Sequence, residues 1–511
     1  MRPYSRILPR LLGALALAAA FVLPPAAPAA SPAPPAASAP GRNESAALLL
    51  LRETVTLLEE SYVTLPDMRK AYGEGLAALG RAAGKDRVEV TSTGPRSFRL
   101  RSDGEQIEAR IEGSSRASLQ EFEQAYRFAL GHASGDKREM EIMYEALGAM
   151  VTALDPYSSF MPPERFRALQ EETSGRYGGI GLTISQKDGK LIVVSPLEDS
   201  PASKAGIEAG DEIVSVDGEP VDGRPLPAAV RRMRGPPATE VRLGILRKGW
   251  SEPRVFTLTR ALVHIQSVKA RFFEGGWGYI RLSAFHEETS QELERVLSRL
   301  RRVGAKGLIL DLRNNPGGLL VQSVRSAEHF LPEGSMVVFT RGRHRGQAMH
   351  FRTHADGPWT RQPMVVLINK GSASASEIVA GALQDLDRAY VVGATTFGKG
   401  SVQTILPLSH GAGIRLTTAK YYTPLGREID QKGVSPDLEV AEQAGAPPRV
   451  PPKASWPEPV PARGEDPALD AGLEILREAG PRADMEALRL AALRVRARRT
   501  EGVRQADVPA R

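Results

Sequence analysis

Lys370 to Asp385 reads KGSASASEIVAGALQD, with serines at alternate positions 372, 374 and 376 feeding a helical pattern. A hydroxyl at a helix entry can act as a nucleophile, because free N–H groups there steady a developing oxyanion. Histidine, the usual proton acceptor, is absent from this stretch and next occurs at His410. Lys399, in GATTFGKGSVQ, stands closer, 25 residues after Ser374. A lysine accepts a proton only when neutral, so burial must draw its pKa down from the ordinary lysine range. Phe397, Val402 and Ile405 are the apolar sequence neighbours that would supply this burial. If Lys399 to Gln403 is extended, Lys399, Ser401 and Gln403 share one face, where the Gln403 amide could hold the amine without adding charge.

DLRNNPGG, Asp311 to Gly318, ends an apolar strand-like run in two glycines. Backbone N–H groups in such a turn can approach a ligand closely and contribute to an oxyanion hole, although a plain Pro-Gly turn has the same sequence. Ser374-x-x-Glu377 fits a capping box, which suits a structural or a catalytic serine equally. Gly393 to Lys399 also fits G-x-x-x-x-G-K. The next residue is Gly400 where a hydroxyl should meet Mg²⁺, and SVQTILPL alternates as a strand where a helix is required. Nucleotide binding is therefore disfavoured. No G-x-S-x-G elbow occurs. A Ser-His-Asp triad would have to draw on His286, His329 or His410, which read as polar core or surface residues.

The elements that must position these groups are legible as patterns. Ala46–Tyr62 and Met68–Leu79 have helical apolar spacing, Arg87 to Glu112 alternates as short antiparallel strands, and helices follow at Ser118–Leu130 and Glu139–Ala153. From Tyr177 the chain supplies short alternating strands with turns at Asp188-Gly189 and Asp217-Gly218, then a short helix in LPAAVRRMRG and two more strands. Beyond Gly276, β-branched runs interleave with helices at Thr289–Val303, Leu319–Phe330 and Ser376–Asp385, the order of a partly parallel sheet. A Pro-rich linker spans Gly445 to Glu465, and Ala468–Glu478 and Asp484–Arg498 read as terminal helices.

At 511 residues the chain needs more than one core. Arg2, Arg6 and Arg10, the apolar run Leu11 to Leu23 and the Ala27-Pro28-Ala29 site form an export signal, with an uncleaved anchor as the alternative. The 13-residue run is shorter than the ~20 residues a spanning helix needs. Cysteine is absent, which excludes disulfides, a thiol nucleophile and Cys-ligated zinc. Without the three signal arginines the formal charge falls from +7 to +4, and Arg494, Arg496, Arg498, Arg499 and Arg504 read as a solvated basic tail. Nucleic-acid binding is not indicated.

LDPYSSFM (154–161), YGGIGL (177–182), DLRNNPGG, NKGSASASEIVAGALQD, GATTFGKGSVQ and GREIDQKGVSPD (426–437) together resemble the carboxy-terminal processing peptidases, the tail-specific serine proteases, over roughly Ala46 to Asp437. The resemblance implies a multidomain α/β (α+β) core of the ClpP/crotonase-like tail-specific protease fold, a small β-rich PDZ domain and a helical N-terminal region. The implied division is a signal peptide at 1–29, linker 30–45, helical region 46–173, PDZ domain 174–262, protease core 263–440, linker 441–466 and terminal helices 467–511. It further implies Ser374 as nucleophile, Lys399 as base, Gln403 as support, and an oxyanion hole from the N–H groups of Ala375 and Gly318, with Gly317 as the lesser candidate. Tyr177, Gly178, Gly179, Ile180, Gly181 and Leu182 would form the PDZ carboxylate-binding loop. Arg234 is a candidate gating contact, or a surface arginine before a turn. No metal or cofactor is called for. The expected partners are polypeptides with accessible, apolar C-termini, with room for an adaptor protein and a homo-oligomer. The expected location is the periplasm or cell envelope, and the strand-like stretch at 87–112 has no counterpart in the family pattern.

Overall fold

The computed structural model describes residues 45–84, 87–113, 116–133, 139–441 and 466–506. The expected export signal and nearly all of both expected linkers lie outside these residues. No described helix is long and apolar enough to cross a membrane.

Four helices, Ala46–Ser61, Met68–Ala83, Arg116–Gly131 and Glu139–Thr152, open the described chain. Their apolar faces, among them Leu50, Leu58, Tyr72, Phe122 and Met150, bury into one core. Burial of each such side chain contributes about 1.5–3 kcal/mol. Between the second and third helices, strands Glu89–Gly94, Ser97–Ser102 and Glu105–Arg110 pair antiparallel in sequence order. Gly73 and Gly80 let this small sheet lie on the second helix, since a Cβ there would meet the Phe98 ring at 3.0 Å and Val90 at 2.6 Å.

The unit expected to be a PDZ domain is a sheet of order Arg254–Thr259, Glu240–Leu246, Glu212–Val216, Lys190–Pro196, Leu182–Lys187, closed by helix Leu226–Met233. Asp188 and Gly189, and likewise Asp217 and Gly218, have positive φ, as tight hairpin turns between right-twisted strands require. Strand Leu182–Lys187 ends the sheet, so among the described residues no strand lies beside its outer edge. The unit is entered and left by an antiparallel pair, Arg176–Gly179 with Ala261–His264.

Two sheets build the rest. The larger has the order Val268–Phe273, Trp277–Leu282, Gly307–Asp311, Met364–Ile368, Tyr390–Gly393, Leu438–Glu439, parallel after its first antiparallel pair. Its central strands Gly307–Asp311, Met364–Ile368 and Tyr390–Gly393 are buried along their whole length because both faces are covered. Leu308, Leu310, Val366 and Ile368 face helix Ala375–Asp385, whereas Ile309, Val365 and Leu367 face helices Pro467–Ala479 and Met485–Ala506. The second sheet is antiparallel, with Gly413–Tyr422 between Ser401–Pro407 on one side and Met336–Arg341 and Ser159–Met161 on the other. Ile414 and Leu416 of its long strand join the core of the opening helices.

Of the expected solvated basic tail, Arg494, Arg496 and Arg498 are exposed, and the side chain of Arg504 lies outside the described residues. Arg494 and Arg498 also pair with Glu478, and the less exposed Arg499 pairs with Glu474 of the preceding helix. An amphipathic helix that buries Leu488, Ala492 and Val495 brings its arginines beside the preceding helix.

Candidate active site

Three loops meet at the C-terminal ends of adjacent parallel strands, the place where open α/β sheets leave a crevice. They are 312–319 after Gly307–Asp311, 369–374 after Met364–Ile368, and 394–400 after Tyr390–Gly393. The first two are stitched together. Ser372 Oγ donates to the Leu312 carbonyl (2.8 Å), Ser376 Oγ to the Asn315 carbonyl (2.9 Å), and the Ala373 N–H to that same carbonyl (3.0 Å). Ser372 and Ser376 are wholly buried staples. Ser374 stays half-exposed at the helix N-cap, with φ 55° and ψ −115°. A non-glycine residue in this conformation costs on the order of 1–3 kcal/mol, which its surroundings must offset.

Glu377 supplies that support. Its carboxylate is fully buried and accepts four hydrogen bonds. Oε2 takes the N–H groups of Ser374 (2.7 Å) and Lys399 (2.9 Å), while Oε1 takes Thr396 Oγ1 (2.5 Å) and the Gly398 N–H (2.7 Å). One oxygen atom therefore fixes the main chain of both expected catalytic residues. Burial pushes the carboxyl pKa up, and the four donors oppose that shift. The sequence presented Glu377 as a helix cap, and its reach to the Lys399 loop arises only from the fold.

Lys399 is half-buried, and its pKa is lowered first by desolvation and then by the nearby Arg415 charge, against the pull of Glu377. Its amine has no ion-pair or hydrogen-bond partner among the described residues, and Nζ lies 5.4 Å from the centre of the Tyr157 ring. Asp155 holds Tyr157 in place by accepting the N–H groups of Tyr157 (2.7 Å) and Ser158 (2.9 Å), and the Tyr157 carbonyl accepts Arg415 Nε (3.2 Å). Tyr421, fully buried, donates to the Lys399 carbonyl.

This corrects the expectation that Phe397, Val402 and Ile405 bury the lysine. Phe397 is 60% exposed and Ile405 faces solvent, and only Val402 packs on the core. A bulge between Val402 and Gln403 breaks the strand alternation on which the expected shared face of Lys399, Ser401 and Gln403 rested. Gln403 Nε2 donates to Ser401 Oγ (2.8 Å) and does not touch the amine. Arg415 and Tyr421 gave no sequence signal, and Tyr157 stood in the LDPYSSFM motif without a role, because distant segments bring all three to the lysine.

Gly317 and Gly318 run beside the serine. A Cβ on Gly317 (φ 104°) would lie 2.8 Å from Ser374 Cβ and 2.9 Å from the Ala375 nitrogen, and one on Gly318 (φ 145°) would lie 2.3 Å from the Phe285 carbonyl oxygen. Only glycine fits. The Gly317 N–H is already donated to Asn315 Oδ1 (2.9 Å), while those of Gly318 and Ala375 have no acceptor among the described residues.

In the expected PDZ unit, the carbonyl of Ile180 accepts the Ala202 N–H (2.9 Å), and that of Gly181 accepts the Leu197 N–H (2.9 Å) and Ser200 Oγ (3.1 Å). The N–H groups of Ile180 and Gly181 have no acceptor among the described residues. Tyr177, Gly178 and Gly179 belong instead to the strand paired with Ala261–His264, and Leu182 opens the edge strand. Arg234 stacks over the Tyr177 ring (4.5 Å) and lies 3.9 Å from Glu171 of helix Pro163–Ser174, so it spans elements rather than standing alone.

None of the three histidines weighed for a triad contacts Ser374. His329 Nε2 faces Ser290, His286 packs on Gly175, and His410 is exposed in a turn. His264, Glu288 and Glu292 are the one group among the described residues that could ligate a metal. Arg176 already neutralises Glu288 there.

A model for peptidase family S41 matches residues 276–440, and one for a PDZ domain matches 192–247. A carboxy-terminal-processing protease of Bartonella bacilliformis is 42% identical over 308 residues, which cover 60% of this chain and 70% of that protein. The chain belongs to peptidase family S41. A second member, the carboxyl-terminal-processing protease of a Synechocystis species, is 44% identical over 313 residues, covering 60% of this chain and 72% of that protein. The solved photosystem II D1 C-terminal processing protease is 29% identical, with a TM-score of 0.42 and coverage of 78% and 94%. This S41 chain is thus a carboxyl-terminal-processing serine protease with a PDZ domain.

Proposed function

We propose that Ser374 and Lys399 form the catalytic dyad of this protease. The neutral Lys399 amine takes the Ser374 hydroxyl proton as Oγ bonds to the scissile carbonyl carbon. The oxyanion so formed accepts the free N–H groups of Ala375 and Gly318. The Lys399 ammonium then gives its proton to the leaving amine as the C–N bond breaks, and water, deprotonated by the same amine, releases the acyl group. Gln403 is a positioning group on the lysine side, acting through Ser401. The observation that carries the reading is the single Glu377 oxygen that holds the backbone of both residues beside two unclaimed amides.

The PDZ domain selects polypeptides with apolar, free C-termini. The unpaired N–H groups of Ile180 and Gly181 suit a carboxylate, and the open edge of Leu182–Lys187 suits an added strand. Arg234 couples that loop to helix Pro163–Ser174. The basic and apolar N-terminal pattern supports export, with envelope proteins as substrates.

Incubating wild type, Ser374→Ala and Lys399→Ala with an unstructured polypeptide ending in apolar residues tests the dyad. Both variants should lose cleavage at least 1000-fold, roughly the worth of a nucleophile or its base, while His286→Ala, His329→Ala and His410→Ala keep it. Equal cleavage by wild type and Ser374→Ala would sink the assignment. Amidation of the substrate C-terminus should raise KM.

A further inference from the structure

Asp466 lies beyond the S41 match at 276–440, yet it touches the loop that braces the serine. Arg313, two residues past the end of strand Gly307–Asp311, has a side chain only 11% exposed. Its guanidinium is held from two sides. Nε and Nη2 donate to Asp311 (3.0 and 2.7 Å), and Nη1 and Nη2 donate to Asp466 (2.7 and 2.8 Å). Such forked charge-assisted pairs fix the plane of a guanidinium as well as its position. Asp311 is wholly buried and also accepts the Tyr279 hydroxyl (2.7 Å). Asp466 caps helix Pro467–Ala479 by accepting the Leu469 N–H (3.1 Å), and that helix is pressed to the sheet by Gly472 and Leu476.

The two residues after Arg313 form the active-site brace itself. The Asn314 N–H bonds Asn369 Oδ1 (2.8 Å), and Asn315 anchors Ala373, Ser376 and Gly317. We infer that Asp466 is a positioning residue for catalysis: through Arg313 the C-terminal helical pair locks the 312–318 turn, and with it the Gly318 amide that meets the oxyanion. The inference rests on the dyad reading above and adds a remote contributor from the opposite face of the sheet.

Asp466→Asn keeps the helix-cap acceptor and removes the charge, so it isolates the bond to Arg313. With the turn loosened rather than lost, kcat should fall about tenfold, less than the 100-fold or more seen on deleting an oxyanion donor. A peptide aldehyde, whose adduct carries the oxyanion, should lose affinity by the same factor. Binding of uncleaved peptide, measured in a Ser374→Ala background, should not change. Arg313→Lys can pair with only one carboxylate at a time and should repeat this signature without adding to it in the double variant. All rates are taken where near-UV circular dichroism matches wild type. A kcat within twofold of wild type, or a kcat loss with no matching loss of aldehyde affinity, overturns the inference. Cleavage by the Ser374→Ala control would overturn the dyad instead, so the two failures are distinct.

Discussion

Replacing Glu377 by glutamine perturbs one buried group and removes no volume, so its effect can be worked out bond by bond. The carboxylate presents two acceptor oxygens to four donors. An amide has one acceptor oxygen, and its NH₂ must face one pair of those donors. Turned toward Ser374 and Lys399, it would orphan both of their N–H groups. Turned toward Thr396 and Gly398, it would orphan only the Gly398 N–H, because the Thr396 hydroxyl can rotate and accept. The second orientation should prevail. One buried N–H then goes unpaired, at about 1–3 kcal/mol, and the remaining bonds change from charge-assisted to neutral, each weaker by about 1 kcal/mol. Relief of the buried charge, which already pushes the Glu377 carboxyl pKa up, offsets part of this. A net loss of about 2–3 kcal/mol is expected in the core unfolding transition. Because the same oxygen aligns the backbones of Ser374 and Lys399, kcat should fall by about 10- to 100-fold even where the variant is fully folded. Urea unfolding followed by tryptophan fluorescence, with kcat measured on the folded protein, tests both numbers. An unchanged unfolding midpoint together with a kcat within twofold of wild type would refute the role given to Glu377.

As the proposed base, Lys399 would act in its neutral form, so activity should appear as pH rises through its depressed pKa and be lost below it. Arg415→Gln removes a charge that helps depress that pKa, so the acid limb of the pH–kcat profile should move to higher pH, and a limb that moves the other way contradicts the assignment. Gly317→Ala places a methyl against Ser374 and Ala375 at a backbone angle that alanine resists, and kcat should drop at least about 100-fold with KM little changed. Gly181→Ala, whose Cβ would lie 2.3 Å from Ser200 Cβ, should raise KM for a protein substrate with a free C-terminus. The same variant should cleave short amidated peptides at the wild-type rate.

Much of the fold was legible because the patterns are local. Of the β-branched runs after Gly276, four became strands Trp277–Leu282, Gly307–Asp311, Met364–Ile368 and Tyr390–Gly393 of the parallel part of the larger sheet, while Met336–Arg341 joined the antiparallel sheet. The Asp-Gly pairs became hairpin turns, and Ser374-x-x-Glu377 did cap its helix. The candidate site residues were named from motifs, with Gly318 preferred to Gly317 as the proposed oxyanion donor. The structure supplies a reason for that preference, since Asn315 already occupies the Gly317 N–H. What misled was the use of sequence neighbours to judge the burial of Lys399. A bulge in the strand and the outward turn of Phe397 meant that near residues did not shield it, and far ones did.

The sequence by itself determined which groups are present. It provides a serine at a helix entry, a lysine with no histidine nearby, a glycine turn and a small domain with a loop suited to a chain end. These features depend on residue type and short spacing, and local sterics and hydrogen bonding act over such spans. Tertiary structure alone decided how the groups are tuned. One buried carboxylate joins the Ser374 and Lys399 loops, Tyr157 and Arg415 set the lysine's surroundings, and Asp466 reaches Arg313 from 153 residues away. Electrostatics and desolvation depend on distance in space, and folding places these charges together without leaving a periodicity in the chain.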